Sequence, residues 1–219
     1  MKKFLAVAGN IGVGKSTLVE KLCEKLGWEP YFEPVAENPY LKDFYKDMKS
    51  WAFQSQVYFL THRMHSHFEL LMNPTSVVQD RSVYEDAEIF ARNLYLQGNM
   101  SSRDYATYRE LFDLFITMLN PPDLVLYLSA PVDTLLKRIN RRGRDFESTI
   151  SGEYLAQLNT LYNEWISDFH LCPVLTVPAD QLDFVHTPGH IDLIIRKVEE
   201  KLRGKEEVYF APEDIMRYR

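Results

Sequence analysis

The sequence has little cysteine, no long apolar run and no excess of positive charge. Its two cysteines, Cys23 and Cys172, form no C-x-x-C pair, which excludes a disulfide framework and favours reduced packing residues in the cytoplasm. No stretch approaches the roughly 20 apolar residues that span a bilayer. The formal net charge of −6 disfavours general binding to nucleic acid or anionic membranes. We therefore expect a cytoplasmic protein with no nucleic-acid and no membrane partner.

What the sequence does contain is an alternation of strand-like and helical patterns. The strand-like apolar runs lie at residues 4–8, 76–79, 124–128 and 174–177, and a further short one begins at 31–32. This alternation predicts the α/β class, with a parallel sheet of about five strands flanked by helices. With no internal repeat or low-complexity linker, we expect one domain over residues 1–204 and a C-terminal tail over 205–219. The tail shows no hydrophobic periodicity, and the sequence leaves open whether it packs against the domain or stays mobile.

A glycine loop follows the first apolar run directly. Gly9, Gly14, Lys15 and Ser16 match the P-loop pattern G-x-x-x-x-G-K-[ST] at every fixed position. Glycines let backbone N–H groups converge on a phosphate, and the following helix directs its positive end at the same charge. Lys15 would reach the β- and γ-phosphates of a nucleoside triphosphate, and the Ser16 hydroxyl would ligate Mg²⁺.

Two carboxylates stand where the sheet would open toward this loop. Asp80 ends an apolar run, as expected of an acidic residue beside Mg²⁺ in such folds. Glu33 follows the predicted second strand, where a carboxylate could accept the proton of an attacking hydroxyl. No N-K-x-D or T-K-x-D guanine-reading motif occurs, which disfavours a GTPase.

A third cluster is basic. Arg138, Arg142 and Arg144 lie around the hinge residue Gly143, between two amphipathic helical patterns of an otherwise acidic chain. These features predict a mobile, arginine-rich lid over about residues 138–150 that closes guanidinium groups on transferring phosphates.

Taken together, these motifs resemble the deoxyribonucleoside kinase family. The resemblance runs in order from about Phe4 to Leu202, through Gly9-Asn-Ile-Gly-Val-Gly-Lys-Ser-Thr17, Glu33-Pro-Val35, Asp80-Arg-Ser-Val-Tyr-Glu-Asp86 and Arg142-Gly-Arg144. The D-R-S opening is most similar to the bacterial deoxyadenosine/deoxyguanosine kinases. The resemblance implies a P-loop kinase fold and ATP-dependent phosphorylation of the 5′-hydroxyl of deoxyadenosine or deoxyguanosine, or of deoxycytidine, in nucleotide salvage.

The resemblance also implies roles for individual residues. The catalytic group would be Glu33 as general base, Arg81 beside the 5′-oxygen, Lys15 and Arg142. Gln56 would pair with the base edge, because an amide offers a donor and an acceptor side by side. The remaining substrate contacts would be Arg63 and Asp86 near the exocyclic groups of the base, and Tyr45 and Glu147 on the 3′-hydroxyl.

The ATP site implied by the resemblance is built from the P-loop, the lid and a late loop. Its members would be Gly9, Asn10, Gly12, Gly14, Lys15, Ser16, Thr17, Arg138, Arg142, Arg144, Asp183 and Phe184. Mg²⁺ would accompany ATP, held by Ser16 and Asp80. The resemblance further implies a homodimer.

The long helical pattern around residues 53–71 combines apolar and polar positions. Gln56 and Arg63 are two turns apart and are expected on one helix face, with Phe53 and Val57 flanking it toward the core. Three histidines at 62, 65 and 67 have no convergent carboxylate, so we expect surface residues rather than a metal site.

Two other functions remain compatible with the P-loop. A nucleoside monophosphate kinase similar to thymidylate kinase would need an extra cation near the acceptor oxygen, which Arg81 could supply. A non-catalytic ATP-binding regulator would need no acceptor site and would leave Gln56, Tyr45 and Glu33 without a joint purpose.

Overall fold

The computed structural model describes residues 2–32, 37–144, 147 and 150–218. Within them five strands form one parallel sheet in the order β2-β3-β1-β4-β5. The strands are β1 Phe4–Gly9, β2 Glu29–Tyr31, β3 Val77–Asp80, β4 Leu124–Ser129 and β5 Val174–Pro178. The predicted parallel α/β sheet is confirmed. The second strand ends at Tyr31 instead of beginning there, so Glu33 follows the strand by two residues.

Helices cover both faces of this sheet. Their bounds are α1 Lys15–Leu26, α2 Leu41–Lys46, α3 Met48–Met72, α4 Val83–Glu85, α5 Arg92–Leu96, α6 Ser102–Ile116, α7 Val132–Arg142, α8 Gly152–Asp168, α9 Pro188–Leu202 and α10 Pro212–Met216. A π-helical segment, Asp86–Ala91, joins α4 to α5. No helix in the described ranges has the length and apolarity needed to cross a membrane.

The central strand explains why the first apolar run lacks alternation. All six residues of β1 are buried, because β1 pairs with β3 on one side and β4 on the other and is covered on both faces. In this register Val7 lies beside Asp80 and Gly9 beside Leu128. The P-loop and the end of β3 therefore meet at one edge of the sheet, where ligands bind in open α/β folds.

Helix α3 is where the sequence pattern was misleading. Gln56 and Arg63 lie on one face as predicted and are buried, and Phe53 and Val57 are half-buried and pack against the hydrophobic core as predicted. Phe68 is exposed although it belongs to the apolar positions of the helical pattern around residues 53–71, and His67, expected at the surface, is buried against the ring of Phe4. Burial lowers the pKa of His67 to about 4, so the ring stays neutral. Among the described residues no three or more histidine, cysteine, aspartate or glutamate side chains come together in a group that could hold a metal ion.

The C-terminal tail docks on the domain. Helix α10 packs against α9 with Ile215 buried, and Lys197 pairs with Asp214 at 3.1 Å. The docked position answers the question that the sequence had left open.

Candidate active site

The P-loop leaves no space for side chains at its glycines. A Cβ at Gly9 would lie 2.6 Å from the carbonyl oxygen of Leu128, and one at Gly12 would lie 2.7 Å from Ile139 Cγ1. Both glycines also have positive φ, of 143° and 79°. Gly14 caps α1 in the left-handed conformation, which points the first N–H groups of the helix into the loop. This backbone is arranged to bind an anion.

Two loop side chains have partners within the protein. Lys15 Nζ donates to the carbonyl oxygens of Gly9 and Asn10 at 2.9 and 3.0 Å. The Asn10 amide donates to Leu155 O and Asn159 Oδ1 on α8. The Asn10 side chain therefore holds the loop to α8, and a contact with ATP from this residue would come from its backbone.

Ser16 and Asp80 lie together at the predicted metal position. The Ser16 hydroxyl donates to Asp80 Oδ2 at 2.5 Å, whereas Asp80 Oδ1 is buried and accepts no hydrogen bond among the described residues. An unpaired buried carboxylate oxygen is costly unless a ligand satisfies it. A hydroxyl and a carboxylate oxygen side by side are ligands that suit Mg²⁺.

A cavity of about 300 Å³ extends from the P-loop toward α3. Its walls include the predicted residues Lys15, Ser16, Tyr45, Gln56, Asp80, Arg81, Asp86, Arg142, Arg144 and Glu147. Aromatic and apolar side chains complete it, namely Phe32, Leu41, Phe44, Phe59, Phe90 and Tyr154. This volume and mixed lining fit a flat heterocycle joined to a polar sugar. We call it the nucleoside cavity.

The far end of the nucleoside cavity carries an amide beside an ion pair. Gln56 is buried and its Oε1 has no partner among the described atoms. Arg63 donates to the Asp86 carboxylate from Nε at 3.0 Å and from Nη2 at 3.3 Å. Its Nη1 donates to the carbonyl oxygens of Asp80 and Arg81. Arg63 lies behind the wall, whereas Gln56 and Asp86 form part of it.

Sequence reasoning missed the network that holds Arg81. Arg81 has a left-handed φ of 68°, rare for a residue with a side chain, and its guanidinium lies 4.3 Å from the centre of the Phe90 ring. Its Nη1 donates to Tyr162 Oη at 2.9 Å, and the Tyr162 hydroxyl contacts both Glu85 Oε1 and Gly9 O. Glu85 Oε1 also accepts from the Gly9 N–H.

Part of this network had a sequence signal. Ser82 and Glu85 form a capping box at the start of α4, in which Glu85 Oε2 accepts from the Ser82 N–H at 2.7 Å. Tyr162 gave no such signal, because its partners lie on other elements. Burial raises the pKa of the Tyr162 hydroxyl far above its usual range and that of Tyr154 to about 12, so both remain protonated.

A second cavity of about 530 Å³ lies on the other side of the P-loop. Its predicted members are Gly12, Gly14, Lys15, Ser16, Thr17, Arg138, Arg142, Arg144, Asp183 and Phe184. Arg141, from the same basic cluster as Arg142, also lines it, together with Asp180 and His186, which sequence reasoning missed. The Phe184 ring lies beside Gly14. Arg138 donates to the carbonyl oxygens of Val13 and Ala179 at 2.6 and 2.7 Å, and so ties the P-loop to the loop after β5. We call it the donor cavity.

The two cavities adjoin near three of the predicted residues, Arg142, Arg144 and Glu147. Arg142 and Arg144 line both, and both pair with Glu147, which is buried. The Glu147 carboxylate is therefore neutralised by two guanidinium groups. The predicted base Glu33 lies outside the described residues.

Comparison with known proteins agrees with this geometry. A family model described as deoxynucleoside kinase matches residues 5–203. The chain is 38% identical over 205 residues to the deoxyadenosine/deoxycytidine kinase of Bacillus subtilis, covering 93% of this chain and 94% of the relative. It is 34% identical over 209 residues to the deoxyguanosine kinase of Lactobacillus acidophilus, covering 91% and 90%.

A solved structure gives the same result. The deoxyadenosine kinase from M. mycoides, with the products dCMP and a flexible dCDP bound, has a TM-score of 0.80 and 35% identity, covering 90% of this chain and 99% of that one. Sequence motifs, cavity lining and both comparisons thus point the same way, and the chain belongs to the deoxynucleoside kinase family.

Proposed function

We propose that the enzyme transfers the γ-phosphoryl group of ATP to the 5′-hydroxyl of a deoxyribonucleoside, deoxyadenosine before deoxycytidine. The observation that supports this most is the position of Gln56 and Arg81 in one cavity that opens onto Lys15 and Ser16. A base reader and an acceptor-side cation would be of no use to an ATP-binding regulator. The family match likewise favours a nucleoside kinase over a monophosphate kinase.

The proposed preference follows from the polarity of the cavity end. Gln56 Oε1 is a buried acceptor with no partner among the described residues, so it needs a donor from the ligand. Adenine and cytosine each carry an amino group next to an acceptor nitrogen, which complements the oxygen and the N–H₂ of an amide. The carbonyl oxygen of guanine stands where adenine carries its amino group, and it would meet the Gln56 oxygen unfavourably.

The reaction is an in-line displacement. The nucleoside 5′-oxygen forms a bond to the γ-phosphorus, the bond to the bridging β,γ-oxygen breaks, and Glu33 takes the hydroxyl proton. Lys15, Arg142 and Arg144 would stabilise charge on the transferring oxygens, and Arg81 would orient the 5′-oxygen. Ser16 and Asp80 would hold Mg²⁺, which neutralises phosphate charge when bound.

A direct competition tests substrate and reaction together. Deoxyadenosine, deoxycytidine, deoxyguanosine and thymidine would compete for radiolabelled phosphate from Mg-ATP, with dAMP and dTMP as alternative acceptors. We expect labelled dAMP and then dCMP from the nucleosides, and no product in EDTA. Labelled dADP or dTDP, formed from the monophosphates with no labelled monophosphate from the nucleosides, would establish a monophosphate kinase, and no product at all would favour a regulator.

We also propose a homodimer formed by α3 and α6, in a cytoplasmic enzyme. These neighbouring helices and the turn after α6 expose large apolar side chains, with Phe68 47%, Leu114 54% and Met118 55% accessible. Such a patch on a monomer usually marks an interface. Sedimentation equilibrium should show a dimer that Leu114→Glu converts to a monomer, with exposed Tyr209→Glu as control; a monomeric wild type would refute the proposal.

A further inference from the structure

The C-terminal tail contacts the domain next to the donor cavity. Helix α10 lies beyond the residues that match the family model, and its Ile215 is buried against α9. Tyr218 packs on Gly189 near the start of α9, so closely that a Cβ at Gly189 would lie 2.8 Å from Tyr218 Cβ. The loop that carries Asp183 and Phe184 comes immediately before this helix.

One buried imidazole connects the tail to that loop. His190 is 2% exposed, and its Nδ1 accepts a hydrogen bond from the Asp183 N–H at 2.9 Å. Because Nδ1 accepts, the proton of the neutral ring sits on Nε2, which donates to the Ile215 carbonyl oxygen at 3.3 Å. The ring thus binds a loop N–H on one side and a tail carbonyl on the other.

The loop in turn shapes the wall of the donor cavity. Asp183 Oδ1 accepts from the N–H groups of Val185 and His186 at 3.1 and 2.9 Å, and Asp183 O accepts from the Thr187 N–H. These bonds fold residues 183–187 into a compact turn that places Phe184 beside Gly14. A shift of the Asp183 backbone would therefore move the ring that lines the cavity.

We propose that His190 is a positioning residue through which the C-terminal tail holds the 183–187 turn in the conformation that binds the base of ATP. The proposal rests on the proposed function in taking the cavity at Gly14 and Phe184 as the ATP site. The tail would increase affinity by ordering this turn before ATP arrives, since a pre-organised site loses less entropy on binding.

Two variants interrupt the connection at different points. Gly189→Ala keeps helical backbone and leaves His190 in place, but its methyl group collides with Tyr218 and displaces the tail. His190→Leu removes both hydrogen bonds of the ring, whereas His190→Asn retains an acceptor for the Asp183 N–H. Met216→Ala is the matched control, because Met216 lies beside Ile215 in α10 but is 63% exposed.

Isothermal titration calorimetry of the full chain with Mg-ATP and, separately, with deoxyadenosine tests the proposal. Loss of one or two hydrogen bonds predicts a Kd for ATP about three- to tenfold higher in Gly189→Ala and His190→Leu, with a smaller rise in His190→Asn. The Kd for deoxyadenosine should not change, and Met216→Ala should behave as wild type. A merely structural tail would weaken both ligands together or neither.

Hydrogen exchange of residues 205–218 verifies that the tail has moved. Faster exchange in Gly189→Ala with an unchanged Kd for ATP would overturn the proposal, as would equal losses for both ligands. ATP binding is measured without turnover, so a wild type that binds ATP but phosphorylates no nucleoside would contradict the proposed function alone.

Discussion

The two cavities on either side of the P-loop differ in how far their charged side chains are exposed to solvent. In the nucleoside cavity the selective groups are buried, with Arg63, Arg81 and Asp86 each 4% exposed or less. In the donor cavity the ionisable groups that line it alone are more accessible, and the Asp183 and His186 side chains are 52% and 70% exposed. Buried charges are strongly coupled to their partners, whereas exposed ones are screened by water.

The difference in exposure suits the two cavities to different roles in binding. Fixed, desolvated polar groups can discriminate between similar bases, because an unmatched group there remains unpaired. Accessible arginine side chains can adjust to a flexible triphosphate and release the diphosphate afterwards. We therefore expect large, specific effects from changes on the nucleoside side and modest effects from changes on the donor side.

The largest effect is expected from the proposed catalytic base. Glu33→Gln removes the proposed base without changing side-chain size, and should lower kcat by about 10²–10⁴-fold with little change in nucleoside Kd. Steady-state kinetics and calorimetry would measure the two quantities. Glu37→Gln, an exposed neighbour, should have no effect. Unchanged turnover in Glu33→Gln would remove the assignment.

Breaking the buried ion pair should cost stability as well as selectivity. Arg63→Met leaves Asp86 charged and buried, which should lower the free energy of unfolding by about 3–5 kcal/mol. Urea denaturation would measure it. Arg109→Met is the matched control, because its pair with Glu88 is about 30% exposed and should contribute only about 0–1 kcal/mol. Equal losses in the two variants would show that burial does not set the difference.

Base recognition should depend on one amide. Gln56→Leu keeps the bulk of the side chain but loses its bidentate edge, so the nucleoside KM should rise by about 10–100-fold at unchanged KM for ATP. Steady-state kinetics with each substrate varied in turn would show this split. The exposed Gln54→Leu on the same helix should leave both constants unchanged. An equal rise in both KM values would point to misfolding of α3.

The smallest effect is expected in the donor cavity. Arg138→Lys keeps the charge but cannot reach the Val13 and Ala179 carbonyls together, so KM for ATP should rise by about three- to tenfold. The nucleoside KM should stay constant. Lys137→Ala, on the exposed face of α7, should change neither KM. A rise in KM for ATP as large as the rise in nucleoside KM expected for Gln56→Leu would contradict the proposed contrast.

Local features were predictable because local residues determine them. The P-loop, the strand before it and the Ser82–Glu85 capping box each arise within a few positions. The partners of Arg81 were not predictable from patterns, because Tyr162 lies 81 positions away and contacts it only after α8 packs on the sheet. The same holds for His190, whose tail partner is 25 positions distant.

Helix α3 shows where periodicity fails. Its apolar residues at 53, 57 and 68 follow a helical spacing, yet its buried face includes Gln56, Arg63 and His67. A periodic pattern identifies the core face only when that face is purely apolar. Here the helix lines a polar cavity on one side and exposes Phe68 on the other.

The sequence by itself determined the α/β class, the phosphate-binding loop and the family to which the chain belongs, because these depend on short motifs and on the order of apolar runs. Tertiary structure alone decided which polar groups are buried together, how Tyr162 and Glu85 hold Arg81, and that His190 joins the tail to the 183–187 turn. These contacts depend on the packing of distant elements, and burial rather than residue type sets their strength.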